Sequence, residues 1–169
     1  MVKTLFWTSV TVLFLALCNA SILSNLTFLP AVPDLVLLVA LYVSFMNSSA
    51  FGATTGFFTG LILDFISAAP IGLNAITKTI TCFITGKLHG SFNLDLVFIP
   101  ALMGCIATLL KAFFVLLLSI LFGLNIQVYH FFSSVFWFEV LINTVCAPII
   151  FALLGLFKDI FVIKTRGFE

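Results

Sequence analysis

The sequence predicts an all-α polytopic membrane protein, a six-transmembrane-helix bundle forming one integral membrane domain over residues 1–169. Three observations predict it. Of the 169 residues, 63% are hydrophobic and only 8% are charged, which excludes a soluble globular protein. A hydrocarbon core about 30 Å thick needs about 20 apolar residues per helix, and runs of that kind consume most of the chain. Within the runs, the few small and polar residues recur at helical spacing and so share one face of each helix.

The first helix is expected from about Leu5 to Ile22. The opening MVK followed by an apolar stretch has the outline of a signal peptide, but the apolar run continues through Ile22 and Leu23, long enough to span. It is read as a retained helix. The second, about Asp34 to Met46, is short unless it continues through Asn47 to Ala50. Pro33 and Asp34 suit its start, since proline lacks the N–H that a first turn leaves unused and an acid favours the positive end of the helix dipole. The third helix, from Phe51 to about Ala69-Pro70, is the packing centre. Gly52, Gly56 and Gly60 step every four residues to Asp64, sharing one half of the wheel with Ala53, Thr55 and Thr59, while Phe57, Phe58, Leu61 and Phe65 fill the other. Helix glycines cost up to about 1 kcal/mol each in water, but in lipid the same spacing lets another backbone approach closely.

The fourth helix, about Ile71 to Lys87, aligns Asn74, Lys78, Thr81 and Thr85 in a stripe too regular to face acyl chains. The fifth, about Val97 to Phe122, aligns Gly104, Thr108 and Lys111. The sixth, about Phe131 to Phe157, aligns Glu139, Asn143 and Ala147. With six crossings, Lys3, Lys87, Lys158, Lys164 and Arg166 all fall on one side, which puts both termini in the cytoplasm by the positive-inside rule.

Four charges remain inside the bilayer: Asp64, Lys78, Lys111 and Glu139. An unpaired charge at mid-membrane costs about 2.5 to 3.5 kcal/mol, so these two acids and two bases are expected to pair or to face a wet cavity. With Asn74 and Asn143 they form an intramembrane polar network. It serves either as a set of inter-helix bonds, as a polar cavity for a small solute, or as a docking surface for a partner.

Other chemistry is thin. Cys18, Cys82, Cys105 and Cys146 lie in apolar stretches without CxxC spacing, as buried small hydrophobes do. His89 and His130 fall in loops on opposite sides, so no metal-ligand cluster is expected. No catalytic signature of the GxSxG, HExxH or phosphate-loop type is present, and no basic run with interleaved aromatics suggests nucleic acid. The sequence therefore points away from an enzyme and from bound cofactors.

The order of features resembles the rod shape-determining protein MreD family of bacteria. The resemblance is carried by Pro33-Asp34-Leu35, by Gly56-Phe57 with Gly60-Leu61 and Asp64, by Pro70-Ile71-Gly72-Leu73-Asn74-Ala75, and by Asn143 with Ala147-Pro148. It extends over almost the whole chain. It does not reach Lys111 and Glu139, whose reading rests on the bilayer argument alone. The resemblance implies an inner-membrane, non-catalytic subunit of the cell-elongation machinery. Such a protein binds MreC and helps couple MreB filaments to RodA and its transpeptidase partner in lateral peptidoglycan synthesis. It also implies a fold similar to the substrate-binding S components of energy-coupling-factor vitamin transporters, which supply the rival functional reading. In that reading Asp34, Asp64, Asn74, Lys78 and Glu139 line an outward pocket for a small polar vitamin, although the external connections are meagre. A channel or transporter built on inverted repeats is disfavoured, because the two halves show no self-similarity. The Gly52, Gly56, Gly60 face is expected to serve internal packing or a partner helix.

Overall fold

Seven helical segments make up the described chain: α1 (Val2–Ser21), α2 (Leu35–Asn47), α3 (Ser49–Ile66), α4 (Leu73–Lys87), α5 (Phe98–Phe122), α6 (Ser134–Gly155) and the single-turn α7 (Lys158–Phe161). The computed structural model describes residues 2–21, 31–67, 70–90, 97–122 and 133–163, and no strand occurs among them. His130, Lys164 and Arg166 lie outside the described residues, as does Ala69 at the expected end of the third helix.

Four helices, α1, α3, α5 and α6, are long and apolar enough to cross a membrane. The remaining two of the six expected spans differ for physical reasons. Helix α2 stops at Asn47 because Ser48 is fully extended, at φ −179° and ψ 169°. This one residue closes α2 and opens α3, accepting a hydrogen bond from Phe51 N–H on its hydroxyl. Thirteen residues at 1.5 Å each make α2 only about 20 Å long. Helix α4 begins at Leu73 because Gly72 takes a left-handed φ of 98°, a conformation that glycine adopts without strain. It holds 15 residues.

Helix α2 is the centre of the molecule. Val36 to Phe45 are all buried and none is more than 3% exposed. A helix apolar around its whole circumference belongs in an interior, and α2 packs against α1, α3, α4, α5 and α6. Around it stand two antiparallel pairs, α3 with α4 and α5 with α6, while α1 lies over α2 and α3 and α7 folds against α1. The outward faces are apolar: Phe14, Phe65, Ile120 and Leu141 are all more than half exposed.

On α4, threonine is tolerated on the inner face because its hydroxyl returns to its own helix. Thr77, Thr81 and Thr85 donate to the carbonyls of Leu73, Thr77 and Thr81, each at 2.8 to 2.9 Å. Donors satisfied in this way do not need water.

Candidate functional site

Two residue ladders hold the helix pairs together. On α3, the glycine steps face the backbone of α4 turn by turn. A Cβ placed on Gly52 would lie 2.7 Å from the Cys82 carbonyl oxygen, one on Gly56 would strike the Lys78 carbonyl, and one on Gly60 would strike Asn74 and Ala75. Gly86 of α4 continues the contact against Ser48 and Ser49. Ser44 of α2 donates a short hydrogen bond to the Cys82 carbonyl beside Gly52. Between α5 and α6 the stripes meet rung by rung. Gly104 abuts Ala147, Asn143 Nδ2 donates to Thr108 Oγ1 at 3.1 Å, and Lys111 pairs with Glu139 Oε1 at 3.0 Å.

Asp34, at the N-cap of α2, joins the two ladders. Its carboxylate takes Lys78 of α4 on both oxygens, at 3.2 and 3.1 Å, and Lys111 of α5 on Oδ2 at 2.8 Å. Oδ1 also accepts from Leu37 N–H at 2.9 Å, and Asp34 N–H donates to Asn143 Oδ1 of α6 at 2.9 Å. Asp34, Lys78, Glu139 and Asn143 are all buried, Lys78 at 1% exposure. The arrangement follows from the shortness of α2. Its first turn starts inside the bundle, where unsatisfied N–H groups and unpaired charges are costly, and an aspartate there meets both needs. Pro33, also buried, receives Asn19 Nδ2 of α1 on its carbonyl at 3.2 Å.

The expected set of four charges is therefore corrected at one member. Asp64 does not meet Lys78 or Lys111. Its two oxygens accept from Gly72 N–H and Asn74 N–H at 2.9 Å, from Ala75 N–H at 3.1 Å and from Asn74 Nδ2 at 3.0 Å. An acid one turn beyond the last glycine step thus caps the start of α4, where donors are left over and the dipole is positive. The balance of two acids and two bases survives because Asp34 takes its place. Substituting Asp64 by alanine removes a cap with four donors and is expected to destabilise the protein by about 2 kcal/mol, the upper end for a helix cap. Thermal melting in detergent measures it, and a loss confined to a few tenths would contradict the capping role.

The remaining motif positions divide by role. Gly72 supplies the left-handed turn, whereas Pro148 sits within α6, seven residues before its end. The sequence reading passed over the part Asp34 plays at the node, together with Gly86 and Ser44. The signal for Asp34 was present, since an acid opening an apolar helix too short to span has to be met by cations inside the bilayer.

The model of the rod shape-determining protein MreD family matches residues 1–157, a stretch that takes in α1 to α6. The chain belongs to the MreD family. No curated protein and no solved structure matches it. The MreD family is one of shape-determining membrane proteins, and the Asp34 node and both ladders fall within the matched stretch. Asp34, Asn74, Gly56, Gly60 and Asn143 fasten one helix to the next in this MreD-family chain.

Proposed function

We propose that this MreD-family chain is a non-catalytic scaffold of the bacterial cell-elongation complex, seated in the cytoplasmic membrane with both termini in the cytoplasm. It binds MreC through membrane helix contacts and so supports MreB, RodA and the transpeptidase partner of RodA in lateral peptidoglycan synthesis and cell shape. The observation that carries the reading is the family match across residues 1–157. The use of the polar residues supports it as well. Asp34, Lys78, Lys111, Glu139 and Asn143 are occupied with one another, which makes them fasteners of a rigid body that presents apolar outer faces to neighbours.

The vitamin-transporter reading would have the same residues line an outward pocket. Two clefts among the described residues are lined by other side chains, Met46, Asn47, Phe51 and Thr54 with His89, Val162 and Ile163 in one, and Tyr42, Pro148 and Lys158 among others in the second. Co-purification from native membranes tests the proposal. Recovery of MreC and RodA is expected, together with rounding of rod cells when the chain is depleted. Recovery of an ATPase pair with a coupling subunit, and unchanged cell shape, would overturn it.

A further inference from the structure

The cleft between the start of α5 and the end of α6 has a volume of about 300 Å³ and contains side chains that the scaffold does not use. Its walls are apolar. Pro148, Phe151, Ala152 and Gly155 form one stripe of α6, and Val97 and Pro100 come from the opening turn of α5. Gly155 keeps it open, since a Cβ there would meet nothing closer than Lys158 Cε at 3.9 Å. Tyr42 of α2 also lines it, 1% exposed and packed edge-on against Phe151 at 5.4 Å, and the Tyr42 hydroxyl is buried without a hydrogen-bond partner. Lys158 also lines it, as does Val97 beside the positive end of the 25-residue α5.

From this arrangement we infer a binding site for one anionic phospholipid, its phosphate against Lys158 and the first turn of α5, and an acyl chain along the α6 stripe. A cation beside an apolar stripe matches the two ends of an anionic lipid. A lysine at such a boundary attracts anionic headgroups, and its long stem packs along apolar surface while the charge reaches the interface. Val97 and Phe98, both more than two-thirds exposed, flank the entry. The site rests on the membrane placement of α5 and α6 and is independent of any role in cell shape.

The test uses the purified full chain, delipidated in detergent and titrated with phosphatidylglycerol or phosphatidylcholine under native mass spectrometry. Wild type is expected to hold one phosphatidylglycerol in preference to phosphatidylcholine. Lys158→Gln is expected to reduce that preference by about fivefold, the effect of one lysine at an anionic surface. Gly155→Leu places its side chain in the cleft and should abolish stoichiometric binding, with far less effect on the melting temperature than Gly56→Leu, since a Cβ here meets nothing closer than 3.9 Å. Equal retention of the two lipids by wild type, or binding unaltered in both Lys158→Gln and Gly155→Leu, would overturn the site. Because the readout is lipid mass, it is separate from recovery of elongation proteins.

Discussion

Replacing Asp34 by alanine is expected to destabilise the bundle by about 3 to 5 kcal/mol, the loss typical of a buried ion pair from which one partner is removed. The reason lies with Lys78. Its ammonium is buried, and both of its hydrogen bonds end on the Asp34 carboxylate. Without that carboxylate, Lys78 either carries an unpaired charge in a medium that solvates it poorly or gives up its proton at a cost, while Lys111 keeps Glu139. The first turn of α2 also loses its cap from the Leu37 N–H. Unfolding in mixed micelles with increasing sodium dodecyl sulfate measures the loss. A double variant, Asp34→Ala with Lys78→Met, removes both charges and is expected to regain most of the stability, since a buried pair replaced by apolar groups is often close to neutral. A double variant as unstable as the single one would show that the charges are not what the node contributes.

The second large effect belongs to the glycine ladder. Overpacking a membrane or soluble core costs roughly 1 to 3 kcal/mol when side chains can move aside. Gly56→Leu and Gly60→Leu are expected to exceed that range and to leave little folded protein, because the atoms in the way are main-chain atoms of Lys78, Asn74 and Ala75. They yield only if α4 moves off α3 as a whole. That displacement would carry Lys78 away from Asp34 and pull the N–H groups of α4 away from Asp64, so the ladder and the node would fail together. Yield and melting temperature in mild detergent provide the measurement. Gly155→Ala is the internal control, since the added carbon has space, and it should melt at or slightly above wild type. Equal behaviour of Gly56→Leu and this control would refute the close approach.

The sequence made the membrane class and most helix limits legible, because composition and apolar run length are strong local signals. It also made the faces legible. Gly104, Thr108 and Lys111 align on one helix and Glu139, Asn143 and Ala147 on another, and the two sets turn out to face each other. Pairing between helices was not legible, since a stripe shows which way a helix turns and not what it turns toward. Asp64 thus aligns with the lysines in the sequence, while its partners are three backbone donors and the Asn74 side-chain amide only 8 to 11 residues further along. For α2 the limits and shortness are legible in the sequence, but its central position is not: only the surrounding helices reveal that it is enclosed on every side and that its N-cap acid meets two lysines.

Asp34 sits early in the chain, and its partners come 44, 77 and 109 residues later at Lys78, Lys111 and Asn143. A ribosome delivers these residues in that order. When α2 emerges, none of the three residues that Asp34 will bond has yet been made, and the node is complete only once α6 has followed, so the contacts that close the middle of the molecule are the last to become available.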